Sequence, residues 1–600
     1  MATERITENI VRKHFEKHSS ALIIEEQKSA NPKIDKLLKN ASKKGNKDGR
    51  PEYIIQYKKD KNFIIVVECK AATNKHRSIA GDKYGDYAVD GALLYSSFLS
   101  KEFDVLAIAV SGQNKAELKV SHYLHLKETN KAIPIFGDKL LDADSYRDGY
   151  IQSPEKYRQD FETLLDFSKT LNDELHSKKV KESLRSLLIS GILIALENQA
   201  FRVSYDSHAK PEDLANSLVD FVSTQLRDAD LHSQKIENLK IAYSFIRTHT
   251  ALSGEPGVLA NLIKDIDENV NGFIKTHKYV DVLGQFYIEF LRYANSDSGL
   301  GIVLTPPHIT ELFSDLAGVN KNSIVYDNCT GTGGFLISAM RKMIQDANGD
   351  SVKIRSIKKS QLLGVEYQDD IFALACANMF IHQDGKTNII HGSCFDADNM
   401  NQIKKRKPNI GFLNPPYQSN KKRDTEELEF VLNNLEVLQP NGTCIAIVPM
   451  SCVLATDGPK FELKDRLLQS HTLEAVFSMP DALFMNSDVG VVTAIIVITA
   501  HKPHPSNKET YFGYWKDDGF VKRKNQGRVD ANGAWEEIKT EWLRSYTNRK
   551  ANAGISVNKI VTAKDEWCAE AYMDTDYSKI NKHDFIQQIK KYIVFKELSQ

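Results

Sequence analysis

An asparagine, two prolines and a tyrosine, Asn414-Pro415-Pro416-Tyr417, close the apolar run Ile410 to Leu413. The Asn414 amide oxygen and the Pro415 carbonyl are two acceptors, and a planar exocyclic amine offers two N–H donors to match. The Tyr417 ring beside them can stack on the ring that carries such an amine. Pro415 and Pro416 cannot donate to a β-ladder, so they stiffen the chain where the strand ends. That end is where open α/β sheets place their ligands. The same four residues also suit a plain Pro-Pro turn with a surface tyrosine, so a second motif has to decide.

That motif lies upstream, as D-N-C-T-G-T-G-G-F from Asp327 to Phe335. Ser323 to Tyr326 read as a buried strand, and Phe335 begins a helix with Leu336, Ala339, Met340 and Met343 on its apolar face. Gly331 and Gly333 let backbone approach a ligand closely. The spacing D-x-x-x-G-x-G-x-F is closer to a loop for S-adenosylmethionine (SAM) than to the dinucleotide G-x-G-x-x-G. Asp327, Thr330, Gly331, Gly333 and Phe335 are therefore candidate cofactor contacts. A second strand ends in Glu366, an acid placed to accept both ribose hydroxyls. The basic insertion Ser351 to Lys359 accounts for the long gap before it.

A third constellation sits near the N-terminus. Two β-rich runs, E-Y-I-I-Q-Y and F-I-I-V-V-E-C-K, flank the charged turn K-K-D-K-N and make a hairpin. Glu52 opens the first strand, and period two puts Glu68 and Lys70 on one face of the second. Two carboxylates at adjacent strand ends, Glu52 and Glu68, with the peptide carbonyl of Cys69, can hold a hard cation such as Mg²⁺. Lys70 can orient or help deprotonate a metal-activated water. Exposed polar ends of a hairpin are the plain alternative. The pattern resembles the PD-(D/E)xK nucleases, particularly the N-terminal domains of restriction enzymes, with Glu52 in place of the commoner Asp. The resemblance implies a further acid from an opening helix, Glu8 or Glu16, and a supporting helix that carries Tyr87 and Tyr95.

These three groups need scaffolds, and 600 residues are too many for one core. Four segments are expected: residues 1–145 around the hairpin, a helical 150–295, residues 296–500 around the two later motifs, and a C-terminal 501–600. From Ser153 to Tyr293 apolar residues recur at three and four, which reads as all helix without a chemical motif. The longest apolar run, Leu187 to Leu196, is too short to span a bilayer and reads as a buried helix. No apolar signal core opens the chain, so an intracellular, cytoplasmic protein with no membrane contact is expected. The seven cysteines are scattered without C-x-x-C, which excludes a zinc ribbon or disulfide framework. The 79 basic residues balance 79 acidic ones, so nucleic acid must be met by local patches.

The order of motifs from Gly301 to Thr499 resembles the N6-adenine DNA methyltransferases, and the spellings G-T-G-G-F-L and L-Q-P-N-G-T are similar to type I modification subunits. The fold class this implies is α/β: a SAM-dependent methyltransferase Rossmann-like core, with an N-terminal α/β PD-(D/E)xK nuclease-like domain and a helical middle domain. The helical part would dock a partner and clamp DNA. Thr305 and Pro306 would lie near the cofactor's methionine end. The family's adenine-binding Asp is replaced here by Gly392-Ser393, so Ser393, Phe395 or Asp396 would share that task. An adenine flipped from double-stranded DNA would be gripped by Asn414 and Pro415 and covered by Tyr417, with Phe484 lining the pocket. Of the two basic clusters, Lys421, Lys422 and Arg423 lie on the strand's ligand-binding end, whereas Lys404 to Lys407 are on the far edge.

After residue 500 a turn-rich segment with Lys522, Arg523, Lys524 and Arg528 is followed by mixed helix that could touch DNA or a partner. No segment is left to read bases, so a separate specificity (target-recognition) subunit and a hetero-oligomer are implied. Endonuclease and methyltransferase on one chain without a reader looks like the larger subunit of a type IIB restriction–modification system. Two alternatives stay open: a modification subunit whose N-terminal domain binds DNA without cutting, and a protein glutamine N-methyltransferase, since those enzymes also use N-P-P-Y.

Overall fold

The computed structural model describes residues 4–42, 48–228, 233–292, 304–383, 388–417, 425–485, 490–523, 527–576 and 581–598. The chain divides into two compact units, Met1–Phe161 and Glu162–Gln600.

The first unit is a six-stranded sheet in chain order: β1 (Leu22–Glu25), β2 (Tyr53–Tyr57), β3 (Phe63–Lys70), β4 (Asp104–Ser111), β5 (Lys119–His125) and β6 (Ile133–Pro134). β3 and β4 pair in parallel and every residue of both is buried. A strand covered on both faces must read as a continuous apolar run, which is why F-I-I-V-V carries no alternation. The helix Ala88–Leu99 makes the crossover and packs on β3 and β4. It can do so because Gly91 carries no Cβ, which would lie 3.0 Å from the Glu68 side chain. The opening helix Glu4–Glu16 is seated by Thr7, whose hydroxyl donates to the Gly112 carbonyl at 2.7 Å.

The second unit starts with helices and continues into a nine-stranded sheet ordered β17-β14-β12-β13-β11-β10-β7-β8-β9. The strands are β7 (Val325–Asp327), β8 (Leu362–Glu366), β9 (Ile389–His391), β10 (Ile410–Leu413), β11 (Thr443–Pro449), β12 (Thr472–Ser478), β13 (Thr493–Thr499), β14 (Glu509–Tyr514) and β17 (Ser556–Ile560); β15 (Val521–Arg523) and β16 (Gly527–Val529) form a separate hairpin. β9, β8, β7, β10 and β11 run parallel, and β13 is antiparallel between β11 and β12.

Three features go beyond the sequence reading. β14 and β17 join the sheet through β12, so the segment 501–600, expected as a partner or DNA contact, shares this sheet with 296–500. Such pairings are non-local, and strands of six and five residues leave little periodicity to read. The helical stretch also packs on the sheet's helices: Glu182–Leu196 lies against Asp369–Ile381 and Val282–Arg292. The insertion Ser351–Ser360 is itself a helix, capped by the Asp350 carboxylate. Leu187 to Leu196 are buried throughout, and among the described residues no single helix is long and apolar enough to cross a membrane. The cysteines are all free thiols.

Candidate active site

Four adjacent parallel strands, β10, β7, β8 and β9, bring their C-terminal ends to one edge of the second sheet. Each end carries one of the residues singled out above. After β7 the chain turns through Gly331 (φ 54°) and Gly333 (φ 92°) into the helix Gly334–Asp346. Both angles are left-handed and favour glycine. Thr330 pins the turn: its hydroxyl bonds the Asp327 and Val365 carbonyls, both at 3.0 Å. Gly364 on β8 makes room for that hydroxyl, since a Cβ there would lie 2.5 Å from it.

Glu366 ends β8 as expected, and its carboxylate accepts the Gly331 amide and the Gln368 amide, both at 2.9 Å. Burial raises its pKa above the ordinary value against those bonds. Each carboxylate oxygen has a second lone pair, so ribose hydroxyls can be added without displacing either amide. Asp327, expected at the cofactor, is instead fully buried beneath the turn and does not line the cavity. One of its oxygens accepts the Cys329 amide at 3.0 Å; the other has no hydrogen-bond partner among the described residues. Burial pushes its pKa up to about 8. It braces the turn from behind.

A cavity opens over the turn, and Asn414, Thr305, Thr330, Gly331 and Phe335 all line it. The Asn414 amide nitrogen donates to the Thr305 hydroxyl at 3.0 Å, which leaves the carbonyl end of that amide as the acceptor. Pro306 lies just before the helix Pro307–Leu316, whose first turn its carbonyl closes with Ile309. Gly301 to Val303, the start of the expected cofactor segment, fall outside the described residues. Pro415 is buried, Pro416 exposed and Tyr417 half-buried. The Tyr417 ring stands edge-on to buried Phe484, with centroids 6.0 Å apart. Its hydroxyl points inward without a hydrogen-bond partner among the described residues, and burial raises its pKa well above the ordinary value. The basic residues Lys421, Lys422 and Arg423 lie outside the described residues, as does Lys524.

Ser393 and Phe395 follow β9, on the far side of Glu366 from Asn414. The Ser393 hydroxyl accepts the Phe395 amide at 3.2 Å, and the exposed Phe395 ring packs edge-to-face on Phe430. Neither lines the cavity over the glycine turn. Asp396 begins the next helix.

Asp281 and Thr310 line the cavity but escaped the sequence reading. Asp281 precedes the helix Val282–Arg292 and reads in sequence as an ordinary helix cap, which it also is: it accepts the Gly284 amide at 2.8 Å. Its other bonds come from the Thr332 hydroxyl (2.8 Å) and the Asn378 amide (2.6 Å). D-V-L-G was the available signal, because a Cβ at residue 284 would collide with this carboxylate.

In the first unit Tyr53 pairs with Val67 across β2 and β3, so Glu52 and Glu68 face each other one step beyond. The Glu52 carboxylate accepts the Cys69 amide at 3.2 Å. The Lys70 ammonium lies 3.0 Å from Glu68 and 3.1 Å from Glu4. Burial works against its charge, but Glu68 and Glu52 more than offset this and hold its pKa above the ordinary value. A raised pKa favours the charged ammonium, the form that orients a water and does not take its proton. Of the two helical acids, Glu16 is exposed and bound to Arg12 at 2.8 Å, which removes it from the site; Glu8 is partly buried, with its pKa raised by burial and by Glu4. Glu4, not foreseen, reaches closest. Tyr95 accepts the Arg50 amide at 3.2 Å and so anchors the supporting helix beside Glu52, while Tyr87 precedes that helix. Among the described residues no three His, Cys, Asp or Glu side chains gather as a metal cage. What is offered is two carboxylates with a peptide carbonyl and more acids than the one lysine neutralises, a donor set that suits a hard divalent cation.

Residues 278–600 match the family model described as N-6 DNA Methylase. The type II restriction enzyme and methyltransferase RM.BcgI of Heyndrickxia coagulans is 29% identical over 98% of this chain and 96% of its own length. The methylase subunit of the type I restriction enzyme EcoKI of Escherichia coli (strain K12) is 26% identical over 41% of this chain and 49% of its own. A solved structure of the type I restriction–modification system aligns over 73% of this chain and 98% of its own, with 17% identity and a TM-score of 0.48.

Proposed function

Because the chain belongs to the N-6 DNA methylase family, we propose that its sheet-end cavity methylates the N6 amine of an adenine extruded from double-stranded DNA. The observation that carries this is the single cavity shared by Asn414, Thr305 and the glycine turn. SAM, when bound, supplies the methyl group. The chain's own residues do the rest. Thr305 holds the Asn414 amide so that its oxygen faces the substrate, and the Pro415 carbonyl is the second acceptor. Accepting both amine protons keeps electron density on a nitrogen otherwise conjugated into the purine, so catalysis is positioning and electrostatics. Tyr417, backed by Phe484, covers the base. Ser393 and Phe395 take the cofactor's adenine and Glu366 its ribose.

A glutamine side-chain amide offers the same two protons, but a family of DNA methylases favours adenine. Labelled SAM with either DNA or protein as acceptor tests this. Asn414→Ala is expected to lose transfer to DNA while still binding cofactor; label on protein instead of DNA would sink the reading.

The first unit is read as a Mg²⁺-dependent endonuclease, with Glu52, Glu68 and the Cys69 carbonyl as ligands and Lys70 orienting the attacking water. Its support is the Glu52–Glu68 register and the RM.BcgI likeness along nearly the whole chain. Sequence choice is assigned to a separate specificity subunit in a hetero-oligomer, in the cytoplasm with its DNA. The C-terminal helix Lys582–Leu598 fits that partner, since Phe585, Ile589, Tyr592 and Ile593 are all exposed on it. A DNA-binding but non-cutting first unit is the second reading, and plasmid cleavage with Mg²⁺ separates them.

A further inference from the structure

Asp281 is the one carboxylate among the described residues that line the cofactor cavity, and no lysine, arginine or histidine lines it with them. Its three hydrogen-bond donors, Thr332, Gly284 and Asn378, are all neutral. The ligand read for this cavity carries two positive charges, a sulfonium and an α-ammonium, against one carboxylate. A lone acid facing a ligand of net positive charge is electrostatically matched, and a hydrogen bond between ionised partners is stronger than a neutral one.

Position says which charge it meets. Glu366 and Asp281 grip neighbouring residues of one turn: Glu366 holds the Gly331 amide and Asp281 the Thr332 hydroxyl. A cofactor laid across that turn with its ribose at Glu366 would run its amino-acid tail toward Asp281, which lines the same cavity as Thr305 and Asn414. We infer that Asp281, contributed by the helical stretch before the sheet, binds the α-ammonium of the cofactor's methionine end. The inference rests on the cofactor reading above and adds a ligand residue from outside the two cofactor motifs. The carboxyl already bears a cost in that position: burial raises its pKa against all three hydrogen bonds. A cation beside it removes that cost.

The test pairs a residue change with a ligand change. Asp281→Asn keeps an oxygen for the Gly284 and Asn378 amides and turns a donor toward the Thr332 hydroxyl, which can accept, so the brace survives while the charge goes. Affinities for S-adenosylhomocysteine and for its deaminated analogue, which has the same thioether and carboxylate but no ammonium, are measured by calorimetry on the full chain. Wild type should prefer the ammonium-bearing ligand by about 10- to 100-fold. Asp281→Asn should collapse that preference and leave affinity for the deaminated ligand unchanged. Thr332→Val, which cuts the brace and spares the charge, should keep the preference. If Asp281→Asn weakens both ligands equally, or Thr332→Val loses the preference as well, the carboxylate is only a brace and the assignment is overturned. Wild-type protein that binds neither ligand overturns the cofactor reading and this assignment with it.

Discussion

Burial works against the charged form of a carboxyl group, and Asp327 meets that opposition with a single amide to offset it. It is fully buried, one oxygen is satisfied by the Cys329 amide, and its pKa is lifted to about 8 from the ordinary 3.8. In the folded protein it keeps its proton up to about pH 8, while in the unfolded chain it loses it near pH 4. The folded state thus binds more protons through that window, so stability falls as pH rises. Asp327→Asn mimics the protonated form at every pH. Between pH 6 and pH 8 the wild-type protein should lose about 2 kcal/mol more than the variant does. Urea unfolding followed at both pH values measures this; parallel losses would mean Asp327 is ionised in the fold. Position separates the two acids: Asp327 lies beneath the turn and away from the cavity, whereas Asp281 lines it.

Between the strands and the helices, three buried asparagines tie the site's loops together. Asn328, in the glycine turn, donates to Asn433 and to the Phe430 carbonyl, both at 2.9 Å, and accepts from Asn434 at 3.0 Å. Asn433 in turn donates to the Cys394 carbonyl beside Ser393, so the helix Glu427–Val437 links the turn after β7 to the loop after β9. β10 must pass close beneath that helix, which is why Gly411 has no side chain: a Cβ there would overlap the Asn434 amide. Gly411→Ala should cost about 1–3 kcal/mol by overpacking and weaken cofactor binding through Asn328. Unfolding and binding read together check it; lost stability with intact binding would uncouple the amide chain from the turn. None of this ladder was legible in the sequence, because its members lie 105 and 106 residues apart. What was legible was local. The hairpin of β2 and β3, the strand stopped by Pro415 and the glycine turn each announce themselves within about twenty residues. β14, β17 and the cavity role of Asp281 depend on partners from elsewhere in the chain, and a helix cap looks the same whether or not a ligand lies above it.

At the scale of the whole chain, the two candidate sites lie in different compact units and use unlike chemistry. One gathers acids beneath a lysine at the end of a six-stranded sheet; the other presents amide, carbonyl and aromatic groups at the end of a nine-stranded one. If each unit works as read, single substitutions should separate the activities. Glu68→Gln keeps the shape of a side chain that is fully buried and removes its charge, so the cation at Glu52 loses half its carboxylate pair. Cleavage of plasmid with Mg²⁺ should fall to background, while methyl transfer to DNA stays at the wild-type level. Asn414→Ala should do the reverse, because the amide that grips the substrate is not a ligand of the first unit's cation. Both assays run on one preparation with its specificity partner present, so that failure to find the DNA site would lower both signals together. Cleavage that persists in Glu68→Gln, or that never depended on Mg²⁺ in the wild type, would leave the first unit as a DNA-binding module beside a working methyltransferase.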